Sequence, residues 1–284
     1  WTWDTLYNVG SYYQYYPSIA ARPNGNNVHI VWRGRNSSAP TYYQVRHIES
    51  TNSGATWGSV TTLSTNTADY CYDASCDVDN NNNVYVVWRQ DPVGITYERG
   101  YYRARLSGTW GSIETFSHNN NTYCYDPDIE VNDAGTTAYV TYRQYATTTV
   151  PYIAWERHRT LPSGAWSTQD SWATAAWGGS YKYDVSCHLD ASGNLHGTFR
   201  SYTPTSPSRY EACYRRRTSS GTWDGIEQIS TNPAGYFYRP QGVTTPNGSF
   251  WATWYGHDGS PTYYNIWYSV GSPPVPNDVG VVAI

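Results

Sequence analysis

Short runs of alternating apolar and polar residues recur along the whole chain, each bounded by a cluster of Asn, Asp, Gly or Pro. Period-two alternation of this length is the signature of a half-buried strand, and turn clusters between such runs mark hairpins. One set of runs opens on a Tyr-x-Tyr pair with a fourth residue behind it: Tyr13-Gln14-Tyr15-Tyr16, Tyr70-Cys71-Tyr72-Asp73, Tyr123-Cys124-Tyr125-Asp126, Tyr181-Lys182-Tyr183-Asp184 and Tyr236-Phe237-Tyr238-Arg239. The second tyrosines are spaced by 57, 53, 58 and 55 residues, so the chain holds five copies of one unit.

Within each unit the pattern predicts four strands. The Tyr-x-Tyr segment runs into the first, and PNGNN, DNNNN, NDAGT, DASGN and TPNGS supply the turns after it. Asn, Asp and Gly suit these turns because tight hairpins need residues that accept positive φ. Second strands fall at 28–33, 84–89, 138–143, 195–200 and 250–255, and third strands carry YYQVRHI, YYRARL, WERHR, YRRR and IWYSV. Four units then show a Ser-Gly turn before Trp57, Trp110, Trp166 or Trp223, leading into a short fourth strand. The fifth unit stops after its third strand, while residues 1–7 align with 221–227 and make Trp3 the fifth turn tryptophan.

The expected fold is therefore all-β: a five-bladed β-propeller of four-stranded antiparallel blades, closed by the N-terminal strand completing blade five. The propeller is expected over 1–271, with 1–10 as the outer strand of blade five and blades at about 11–66, 67–119, 120–175, 176–232 and 233–271. Residues 272–284 contain Pro273, Pro274 and Pro276 and read as a semi-rigid linker into a covalently attached downstream domain.

Composition adds an apolar, aromatic core and takes away several partners. The 284 residues include 30 Tyr and 14 Trp but only 14% charged side chains, enough to build a core and to exclude disorder. A net charge of −4 argues against nucleic acid, and no apolar run is long enough to span a membrane as a helix. The chain has no Met and no signal peptide, from which a processed, secreted or cell-surface protein is expected. A monomer is expected. Cys71, Cys76, Cys124, Cys187 and Cys213 lack metal-ligand spacing and read as small buried residues.

The Ser-Gly-x-(Thr)-Trp turns, with Tyr16-Pro17-Ser18-Ile19-Ala20 and VHIVWR before the first of them, resemble the degenerate Asp-box (BNR) repeat of sialidase/neuraminidase-type propellers across essentially the whole chain. The box aspartate is absent from all four copies. The resemblance implies the blade architecture and a leaning towards glycans; it carries over no active site.

Propeller topology brings the starts of first strands, the ends of second strands and the heads of third strands to one face. Tyr16, Asp73, Asp126, Asp184 and Arg239 form one expected column there, and Arg33, Arg89, Arg143, Arg200 and Tyr255 a second, with Glu98 and Glu211 just outside. With Tyr72, Tyr125, Tyr183 and Tyr238, these residues would line a glycan-binding funnel in which aromatic faces stack on sugar and Asp and Arg take its hydroxyls. Asp73, Asp126, Asp184, Glu98 and Glu211 are the candidate catalytic carboxylates of a glycoside hydrolase. The competing reading is architectural: repeated Asp–Arg bridges pin blades together, because a catalytic site is asymmetric and a repeated column is not. Symmetry breaks at Tyr16, Arg239 and Tyr255, and at His257-Asp258, read as a loop pair. No cofactor is expected; Asp77-Val78-Asp79-Asn80-Asn81 has some calcium-ligand character, but it sits at a hairpin turn and lacks the glycine and distal glutamate of a calcium loop. Three functions stay open: a lectin-like module binding a glycan or polysaccharide, a glycoside hydrolase, and a protein-interaction scaffold.

Overall fold

A computed structural model describes residues 5–8, 10–22, 25–64, 69–117, 122–145, 152–174, 181–203, 209–230, 235–245, 248–257, 264–271 and 280–281. It divides into two compact units, one of Trp1–Asn121 with Asp133–Gly135, the other of Thr122–Asn132 with Thr136–Ile284. Among the described residues every regular element is a strand.

In the first unit, β1 (Gln14–Ala21), β2 (Val28–Asn36), β3 (Ala39–Ser50) and β4 (Thr61–Thr62) form one antiparallel sheet in chain order. A second contains β5 (Tyr70–Val78), β6 (Val84–Asp91), β7 (Arg99–Leu106) and β8 (Thr109–Trp110), with β9 (Glu114–Thr115) also on β7. In the second unit, β10 (Cys124–Val131), β11 (Thr137–Tyr145), β12 (Tyr152–Thr160) and β13 (Asp170–Ala173) repeat the pattern. So do β14 (Tyr181–Leu189), β15 (Leu195–Thr203), β16 (Arg209–Arg217) and β17 (Glu227–Gln228), which one parallel bridge, Tyr210 to Tyr236, joins to β18 (Tyr236–Thr244), β19 (Phe250–His257) and β20 (Asn265–Gly271). Four-stranded antiparallel meanders of this kind are consistent with a β-propeller.

The outer edge of β20 differs from expectation. Trp1–Asp4 lie outside the described residues, and Thr5–Asn8 form no strand. Gly280 and Val281 (β21, Gly280–Val281) instead pair with Val270 and Ser269. An edge strand offers a row of unmet N–H and C=O groups, and the β-branched end of the chain satisfies part of it. Residues 272–279 of the expected linker are outside the described residues.

Every first strand carries a bulge at one place. Register slips between Tyr15 and Ser18, Tyr72 and Ser75, Tyr125 and Asp128, Tyr183 and Ser186, and Tyr238 and Gln241. The residue after each second tyrosine is left-handed: φ is 52° at Tyr16, 47° at Asp73, 49° at Asp126, 51° at Asp184 and 48° at Arg239. Asp tolerates this conformation through local hydrogen bonds, whereas Tyr and Arg do so at a cost of about 1–2 kcal/mol.

Side chains of one first strand serve the backbone of the next. Asp126, Asp128 and Glu130 of β10 accept the N–H groups of Asp184, Cys187 and Leu189 at 3.0, 3.0 and 3.2 Å. Asp184 accepts that of Arg239 at 3.0 Å. In the first unit, Ser18 Oγ accepts from Cys76 N at 3.3 Å, and Arg22 reaches Asp77 at 3.4 Å and Asp133 at 3.0 Å. Asp79 is absorbed by its own turn. Its carboxylate accepts from the N–H groups of Asn81 and Asn83, from Asn83 Nδ2 and from Tyr85 Oη, and a Cβ on Gly135 would stand 2.0 Å from it. All five cysteines are buried thiols, and burial pushes that of Cys71 up to about 12.

At the other end of β2 from Arg33, His29 Nδ1 and His47 Nε2 lie 3.1 Å apart in the interior beside a cavity of about 420 Å³, which Glu49, Trp57, Arg105 and Trp110 also line. Burial pushes both imidazoles down, His47 to about 3. A base held neutral in the fold stabilises it above its unfolded pKa, and that stability is lost as pH falls from about 6.5 towards 3. At pH 5 the loss from His47 alone is about 2 kcal/mol, on which His29 adds. Urea midpoints across that range should decline, and H47Q should flatten the decline; an imidazole resonance of His47 titrating near 6.5 would contradict it.

Candidate functional site

The two tyrosines of each motif stand two residues apart just ahead of the bulge, and the second lies opposite the last residue of the second-strand motif, Arg33, Arg89, Arg143, Arg200 or Tyr255. Within the first unit, the Arg33 guanidinium sits over the rings of Tyr15, Tyr16, Tyr43 and Tyr72 at 5.5, 4.7, 5.0 and 5.0 Å. Within the second, Arg143 lies over Tyr125, Tyr152 and Tyr183 at 4.6, 4.8 and 4.9 Å, and Arg200 over Tyr183, Tyr210 and Tyr238 at 4.6, 4.6 and 4.8 Å. Each guanidinium is thus cradled by a tyrosine from its own first strand, one from its third-strand head and one from the next repeat. The pattern gives three cation–π contacts, worth about 0.5–2 kcal/mol each depending on desolvation.

The carboxylates of this column are paired. Asp73 meets Arg89 Nε at 2.5 Å, Asp126 meets Arg143 Nε at 2.6 Å and Asp184 meets Arg200 Nε at 2.9 Å. Asp126 and Asp184 also hold the N–H of the following bulge residue, as above. All three candidates for acid or base thus have an arginine of their own repeat as counter-ion. Glu211, buried in β16, pairs with Arg209 at 2.5 Å.

Glu98 is different. It occupies the third-strand head where the other repeats present Tyr43, Tyr152 and Tyr210, and it shares Arg89 with Asp73. Burial raises its carboxyl above the usual range against the lowering effect of Arg89.

Tyr43, Tyr152 and Tyr210 escaped the sequence pattern, although each stands at a third-strand head, and that shared position was the available signal. His257 is not in a loop: it is the last residue of β19, buried and stacked 5.1 Å from Tyr236, while Asp258 lies outside the described residues. Tyr255 stacks on Tyr238 at 5.4 Å and stays part-exposed, and Arg239 is exposed. Lys182, the only lysine, is buried with Nζ donating to Ser201 Oγ at 2.9 Å, and burial pushes it down to about 8. Among the described residues no cluster of His, Cys, Asp and Glu is arranged to hold a metal ion.

No protein-family model matches the sequence, and no curated protein does. Solved structures do resemble it. A protein of unknown function from Dyadobacter fermentans matches at a TM-score of 0.64 and 10% identity, over 96% of this chain and 83% of that one. An α-L-arabinanase of Penicillium chrysogenum complexed with arabinobiose matches at 0.59 and 13%, over 89% and 80%. A PL25 polysaccharide lyase, an ulvan lyase bound to a GlcA(1-4)Rha3S unit, matches at 0.52 and 12%, over 93% and 77%. The chain shares its fold with propeller-type proteins that act on glycans.

Proposed function

We propose that this chain is a secreted or cell-surface, five-bladed β-propeller that binds a polysaccharide through its tyrosine-rich strand ends. The observation that carries the reading is the repeated tyrosine–arginine cradle. It places flat aromatic faces beside fixed guanidinium donors, and Tyr13, Tyr15 and Tyr16 present 60, 38 and 47% of their surface. Stacking on the apolar face of a sugar with polar groups at its rim suits a site of this composition. The glycan-acting neighbours support a carbohydrate ligand through shared fold. In this reading the Asp–Arg pairs brace each repeat internally, and the bulge aspartates link one repeat to the next through the backbone N–H.

A glycan array with the purified protein, followed by overnight incubation of the hits, tests it. Binding should be found and should weaken about tenfold in Tyr72→Ala, the change expected if losing one aromatic stacking face costs about 1.4 kcal/mol. An array with no hits defeats the proposal and favours a protein scaffold.

The second reading, a glycoside hydrolase, rests on Glu98: one carboxylate, at one repeat only, whose pKa burial raises against the opposing effect of Arg89, the direction a general acid requires. Cleavage of a bound glycan by the native protein, abolished in Glu98→Gln while binding persists, is its expected result. Unchanged cleavage in that variant removes Glu98 from the chemistry.

A further inference from the structure

In the second unit each bulge aspartate has two partners: it forms an ion pair with the arginine of its own repeat and accepts the backbone N–H of the next bulge residue. Asp126 takes Arg143 and Asp184 N; Asp184 takes Arg200 and Arg239 N. The first repeat has the same backbone, with the bulge residue at φ 52°, but Tyr16 stands where the carboxylate belongs. Its arginine is still present. Arg33 makes no ion pair with any described residue; its contacts are the four tyrosine rings. Two residues on, Arg35 lies 4.1 Å from the ring of Tyr43, also without an ion pair, so two guanidiniums share one tyrosine. Tyr16 likewise offers no carboxylate to the N–H of Asp73.

We propose that the first repeat is an anion subsite whose missing carboxylate is supplied by the ligand: an acidic group on a sugar, taken by Arg33 and the Asp73 N–H with Arg35 in support, while the sugar ring stacks on Tyr15 and Tyr16. The proposal rests on the glycan reading above and names the substrate class within it. A guanidinium left with aromatic faces and no counter-charge keeps its hydrogen-bonding fork for an incoming oxyanion, and such charge-assisted contacts are the strong ones. Carboxylate of a uronic acid and sulfate ester share this chemistry.

Calorimetric titration at low and high salt, with a galacturonate trimer, a neutral arabinose trimer and a sulfated galactose disaccharide, distinguishes the sources. An anionic ligand is expected to bind at least about tenfold more tightly than the neutral one, less so at high salt. Which of the two anions wins names the group. Arg33→Gln should erase the preference. Tyr16→Asp should erase it too, by returning an internal carboxylate to Arg33, and should unfold at the same or a higher temperature because Asp is better suited to the left-handed region. Loss of binding in that variant is then no consequence of misfolding. Equal binding of neutral and anionic sugars, or a preference that survives Tyr16→Asp, overturns the subsite and leaves the glycan reading standing. No binding to any of the three overturns both.

Discussion

Trp172→Ala is expected to destabilise the protein by about 3–5 kcal/mol, the range for removing a fully buried large aromatic. Trp172 has no exposed surface. It stacks on Trp223 at 5.5 Å, meets Phe199 edge-on at 5.3 Å, and its Nε1–H donates to Trp155 O at 3.1 Å. Its carbonyl accepts Arg215 Nη1 at 2.5 Å, so the outer strand β13 is tied to the third strand of the following repeat at this point. The fit is close: a Cβ on Gly197 would stand 2.6 Å from the indole, and only glycine leaves the room. Truncation opens a cavity between Ala154, Val185, Phe199 and Cys213 that rigid neighbouring strands cannot close. Trp172→Phe should recover roughly half of the loss, and urea unfolding of both variants measures it. A change under about 1 kcal/mol for the alanine variant would mean that the sheets close over the gap.

Much of this frame is legible from the chain. The five Tyr-x-Tyr motifs, the VWR-type second strands and the Ser-Gly turns carry period-two alternation and turn chemistry, both of which are local, and the described strands fall where those patterns lie. Tertiary effects are not local. Trp172 and Trp166 stand six residues apart, and the repeat pattern singles out Trp166, yet Trp172 is the one sealed while Trp166 is part-exposed. The bulge after each second tyrosine is also invisible as a pattern, because Asp, Tyr and Arg occupy the left-handed position alike. The roles of Asp128 and Glu130 as acceptors for the next strand need two repeats in register. The outer edge of β20 shows a different limit: residues 1–7 have the better repeat likeness, but Gly280 and Val281 pair with the edge, and an open edge is satisfied by whatever reaches it.

The candidate site divides in the same way. The Asp and Arg columns were readable because they repeat; what no spacing encodes is the second bond of Asp126 and Asp184, to the N–H of the next repeat. Glu98 and Tyr16 were readable only as exceptions, and their meaning depends on what fills the same place elsewhere.

Arg200→Ala puts this division to a quantitative test, with an expected loss of about 2–4 kcal/mol. The variant removes three cation–π contacts and leaves Asp184 with a single N–H donor inside a tyrosine-lined setting, and an acid deprived of its partner costs more than the pair contributes. The terms share atoms and do not add, so a cycle with Asp184→Asn is needed: a coupling of about 1–2 kcal/mol between the two sites is expected. Arg33→Ala provides the contrast. It loses comparable aromatic contacts but strands no carboxylate, so its cost should be about 1 kcal/mol less than that of Arg200→Ala, while its effect falls on ligand binding. Equal destabilisation by the two, with no coupling at Asp184, would make the cradle alone responsible for the arginine column and the bulge aspartates incidental to it.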